Sequence, residues 1–63
     1  MNEKEALQFL MKANKKDRDE AAEFIKTLSD KSVEKSVTEY WEGRKFQSEM
    51  NIRILQSYGI SAK

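Results

Sequence analysis

The sequence predicts an all-α protein, a small bundle of three to four helices in a single domain over residues 1-63, that associates with itself. Three observations carry this. Proline is absent and glycine occurs twice, so little punctuates the chain. Apolar residues recur at the three-to-four spacing of helices. A chain of 63 residues without cysteine cannot support a small core with disulfides or thiolate metal sites, which leaves association as the supplement.

A first helix opens at Asn2, with Glu5 at capping-box spacing. Its apolar face is read as Ala6, Leu7, Phe9, Leu10 and Ala13, with Met11 at the margin. Asn14-Lys15-Lys16 makes a first break, its cations suited to a helix C-terminus. Asp17 with Glu20 then caps a second helix whose stripe is Ala21, Phe24, Ile25 and Leu28. Ser29-Asp30 forms a second break, and a third helix starts near Lys31. The final stretch ends near Tyr58, where Gly59 suits a left-handed position and Ile60 folds back on Leu55.

The register changes at Trp41-Glu42-Gly43. Val33, Val37, Tyr40 and Trp41 form one stripe, and Phe46, Met50 and Ile54 another, pointing about 125° away on a straight helix. A break or kink near Trp41-Gly43 lets the second stripe rejoin the core. A straight helix instead places Arg44, Gln47, Ser48 and Asn51 within the first stripe, although Ile52, Leu55 and Tyr58 keep its phase. A hairpin of strands between Val37 and Leu55 is the alternative, but Gln47, Ser48 and Glu49 spoil its alternation.

Composition narrows the function classes. Histidine and cysteine are both absent, which removes the usual general base and the commonest metal ligands. Ser32 and Ser36 with Lys35 are the only nucleophile–base candidates on one helix, and ordinary solvated residues explain them. No catalytic residue, cofactor or metal is therefore expected. Asp17, Asp19, Glu20 and Glu23 resemble a calcium loop only in charge: Ala22 and Leu28 stand where its glycine and bidentate glutamate are required.

Net charge is +1, with residues 1–20 balanced, 21–42 at −2 and 43–63 at +3. Such a dipole does not by itself select nucleic acid or membrane. The amino terminus lacks a signal-peptide pattern and no apolar segment is long enough to span a bilayer, so the expected location is cytoplasmic. A bacterial or phage-encoded accessory factor fits this compactness.

The run from Leu28 to Val37 resembles the turn and recognition helix of helix-turn-helix repressors: a buried turn residue, a polar cap, then Val33 and Val37 four apart. The resemblance covers ten residues and lacks the usual turn glycine. It implies a DNA-binding regulator using Lys31, Ser32, Lys35, Arg44 and Lys45, opposed by Asp30 and Glu34 on the same surface. Trp41-Glu42-Gly43 is similar to the Trp-X-Gly signature of small secreted helical hairpins, which place it in a turn. Those proteins carry a longer helix afterwards than the 20 residues found here. Gln47-Ser48-Glu49-Met50-Asn51 has the wrong order, and asparagine for aspartate, against the Ser-Gln-Glu-Leu-Asp motif of small sporulation phosphatases.

An interaction surface is the favoured expectation. Beyond Gly43 the chain is apolar on two sides, with Phe46, Met50 and Ile54 on one and Ile52, Leu55 and Tyr58 on the other. A tiny protein needs a second chain to cover both. The expected product is a small non-enzymatic regulator that binds a protein partner and self-associates, with a dimer favoured, through its C-terminal half. Trp41, Phe46, Met50, Ile54 and Tyr58 form its interface.

Overall fold

The structure, a computed structural model, describes residues 2–29, 31 and 33–61. They form two helices, α1 (Glu3–Ser29) and α2 (Lys35–Ser57). The bundle of three to four helices is thereby corrected to a hairpin, because two of the expected breaks do not occur. Asp30, part of the expected second break, and Ser32, one of the expected DNA-contacting residues, lie outside the described residues.

Helix α1 begins where its cap predicts. The Glu5 amide donates to Asn2 Oδ1 at 2.8 Å, and Asn2 Nδ2 lies 3.5 Å from Glu5 Oε1. It then passes through Asn14-Lys15-Lys16 without interruption. Lysine is a good helix former, and nothing there blocks the i→i−4 ladder. Asn14 stays in the helix with its Nδ2 donating to the Leu10 carbonyl at 2.8 Å. Asp17 is consequently an interior helical residue and caps nothing.

Helix α2 begins at Lys35 rather than near Lys31, after an extended Glu34 (φ −62°, ψ 140°) that supplies no side-chain cap. It continues through Gly43, so the break there is also corrected. A single interior glycine costs about 1 kcal/mol relative to alanine, too little to end a helix whose neighbours on both sides are packed. The strand alternative falls with it, since Val37 to Leu55 is helical throughout. The C-terminal closure forms as expected. Gly59 adopts φ +80°, its amide reaches the Gln56 carbonyl at 2.9 Å, and the Ile60 amide reaches the Leu55 carbonyl at 3.0 Å.

Two contacts fix the helices' relative direction. Phe24 stacks on Trp41, and Asn51 Nδ2 donates to Asn14 Oδ1 at 3.1 Å. Contacts farther from the connection join residues farther apart in sequence, so the helices run antiparallel. The product is a rod of 45 × 16 × 14 Å with a radius of gyration of 13.9 Å, against about 11 Å for a compact domain of this length.

The seam follows a heptad. Leu7, Met11, Asn14, Arg18, Ala21, Ile25 and Leu28 of α1, spaced alternately by four and three, are all buried or half-buried. Thr38, Trp41, Lys45, Ser48, Ile52 and Leu55 of α2 do the same. Met11, expected at the margin, is the most buried large side chain at 1% exposure, while Phe9 lies on the outside. Once α1 continues past residue 14, only the face carrying Leu7 and Met11 stays in phase with Ala21, Ile25 and Leu28. Among the described residues, no helix is long and apolar enough to cross a membrane.

Candidate interaction surface

The seam is polar in its middle. Asn14, Arg18, Lys45, Ser48 and Asn51 occupy or border it, and Ser48 is 7% exposed. Among the described residues, Met11, Ala21 and Ile52 are the only buried apolar side chains. Ten large apolar or aromatic residues remain exposed: Phe9, Leu10, Phe24, Val33, Val37, Tyr40, Phe46, Met50, Ile54 and Tyr58. The accessible surface is 4993 Å². A compact monomer of 7.4 kDa is expected to expose about 4,200 Å². The excess, on the order of 800 Å², is what one partner buries in a protein–protein interface of ordinary size.

The five residues expected at an interface separate into three environments. Trp41 lies half-buried in the seam. Its ring is parallel to Phe24 (centroids 4.4 Å, 11°) and edge-on to Tyr40 (5.4 Å, 85°). Arg44 covers this aromatic group, its guanidinium 5.2 Å from the Trp41 centroid and 5.9 Å from Tyr40. Phe46 and Met50 lie on the outside of α2, away from α1, with Phe46 59% exposed. Ile54 lines a groove of about 240 Å³ with Leu10, Asn14, Asn51 and Leu55. Tyr58 continues that side as the most exposed aromatic residue, at 78%. Spaced by four, Phe46, Met50, Ile54 and Tyr58 make one ridge turning about 40° per step around α2.

Two contributors on α1 were missed, Leu10 and Phe24. The Leu10–Asp17–Phe24 spacing of seven carries the signal, but a helix ending at Asn14 hides it. Ser48 and Asn51 fall where the straight-helix alternative put them, in the phase of the seam.

The residues assigned to nucleic acid do not gather. Lys31 lies in the connection, Lys35 pairs with Glu39 at 3.8 Å, Lys45 pairs with Glu49 at 3.9 Å, and Arg44 is spread over the aromatic group. Residues 28–37 span the connection of an antiparallel hairpin, unlike the corner of about 90–120° between helices of a helix-turn-helix. The acids at Asp19 and Glu20 face Arg18 (3.0 Å) and Lys16 (4.0 Å). No group of three acidic residues able to hold a metal ion occurs among the described residues. Comparison with known proteins finds no match: no family model, curated protein or solved structure is similar to this chain.

Proposed function

We propose that this chain is a small non-enzymatic regulatory or accessory protein that acts by protein–protein interaction, with a homo-oligomer, a dimer first, as its working form. One observation carries the reading: among the described residues, the hairpin leaves ten large apolar side chains exposed and buries three apolar ones. A rod with that imbalance gains more from covering its surface than from its own seam. The ridge of Phe46, Met50, Ile54 and Tyr58 supplies aromatic and methionine side chains suited to protein interfaces.

Sedimentation equilibrium and partner capture test this together. The expected result is a dimer at micromolar concentration, and a specific protein retained from the native host that Phe46→Glu fails to retain. A strictly monomeric chain at high micromolar concentration, with capture unchanged by Phe46→Glu, overturns the proposal. Retention on heparin with salt-dependent binding to duplex DNA would replace it with the regulator that uses Lys31, Lys35, Arg44 and Lys45.

A further inference from the structure

We infer that the occupant of one flank of the hairpin is a second copy of this chain, placed side by side with both connections at the same end. The inference rests on the self-association proposed above and adds its surface and its symmetry.

The flank is defined by two rows. Leu10, Asp17 and Phe24 recur every seven residues on α1, as do Arg44, Asn51 and Tyr58 on α2. Seven residues advance a helix by two turns less about 20°, so each row stays on one side. The rows share a flank because Asn51 bonds Asn14 beside Leu10, and Arg44 covers the Trp41 ring on which Phe24 stacks. Apolar groups lie at its two ends: Leu10, Ile54 and Tyr58 near the termini, Phe24, Trp41 and Tyr40 near the connection. The polar centre holds Asn14, Asp17, Glu20, Arg44 and Asn51. In projection one side of this rod measures about 700 Å², comparable to the roughly 800 Å² per partner of a stable interface.

Charge selects the symmetry. The Asn14–Asn51 and Phe24–Trp41 contacts put residues whose numbers total 65 at one level, so Arg44 lies level with residue 21, next to Glu20. A twofold axis along the rod sets α1 of one copy against α2 of the other at equal height. Each Arg44 then meets Glu20 and Asp17 of the second copy. Among the described residues neither Arg44 nor Asp17 has an ion-pair partner within the chain. The two Asn14–Asn51 pairs fall in one layer, a polar device that fixes register. A twofold axis across the rod also brings apolar ends together, Leu10 on Phe24. It centres near residue 17, however, and sets the two Asp17 carboxylates against each other.

The ends of the dimer decide the matter. The chain has no cysteine, so Lys31→Cys carries a unique spin label at the connection. Side-by-side copies give an inter-label distance below about 30 Å, allowing for helix spacing and label reach. Copies with opposed connections give a distance near the 45 Å rod length or beyond. Arg44→Glu weakens dimerisation on the order of tenfold or more, and adding Glu20→Arg restores it. Phe24→Glu weakens it on the order of a hundredfold, and Phe46→Glu leaves it unchanged. Circular dichroism confirms that each variant stays helical. A dimer with labels at opposite ends, or one broken by Phe46→Glu and indifferent to Arg44→Glu, overturns this arrangement while leaving self-association intact. A strict monomer overturns both.

Discussion

Gly43 and Gly59 are the only two glycines, and the structure gives them opposite roles. Gly43 sits inside α2 with open space where a Cβ would point, so Gly43→Ala removes only backbone freedom. The expected outcome is stabilisation by about 1 kcal/mol, a rise in Tm of roughly 4–8 °C by thermal circular dichroism. Gly59 also has space but holds φ +80°, so Gly59→Ala lowers stability by about 1 kcal/mol or more in the same measurement. The Asn14–Asn51 bond is the third residue-level determinant. Asn51→Ala leaves the half-buried Asn14 Oδ1 without its inter-helix donor and lowers stability by about 1 kcal/mol in denaturant titrations. Replacing both asparagines by leucine recovers that loss or exceeds it, at the expense of register.

Helix α1 is longer than either segment expected over the same residues, and proline distinguishes a break from a continuous ladder. Lys16→Pro would be tolerated at a loop between two helices. In α1, with 27 residues uninterrupted, it costs about 3 kcal/mol or more, and far-ultraviolet circular dichroism is expected to show helix loss well beyond one turn. The element boundaries show what the sequence made legible. Asn2, Gly59 and Ile60 were readable because capping chemistry is local. Asn14-Lys15-Lys16 was misread and Gly43 stayed open between a bend and a straight helix, because polarity and a lone glycine only lower helix propensity; whether a helix stops there depends on the element opposite. Ser48 and Asn51 illustrate the same limit. A polar residue in an apolar phase looks like a register error until Asn14, 37 residues away, is seen to bond one of them. The candidate surface was half readable: Ile54 and Tyr58 follow from the α2 pattern, whereas Leu10 and Phe24 emerge only when α1 is continuous.

At the scale of the whole molecule, few buried apolar side chains support a rod 45 Å long. If the proposed dimer forms, folding and association share one equilibrium, and stability is expected to depend on protein concentration. A hundredfold dilution through the dimer dissociation range should lower Tm by about 10 °C, from on the order of 2–3 kcal/mol of linked binding free energy per dimer. Phe46→Glu should leave that dependence in place and Phe24→Glu should abolish it. Scanning calorimetry at several concentrations reads both.

The stack of Phe24 on Trp41 also orders events in time. Bringing these rings together closes a segment of 17 residues, whereas joining Asn14 to Asn51 closes one of 37. The shorter closure is cheaper in chain entropy by about 0.7 kcal/mol, and its contact is the more apolar of the two. The chain is therefore expected to zip from the connection toward its termini. Trp41, the sole tryptophan, stands at the first tooth of that zipper. Its fluorescence after a temperature jump should recover before helicity near the termini does, on the microsecond scale of hairpins with local contacts.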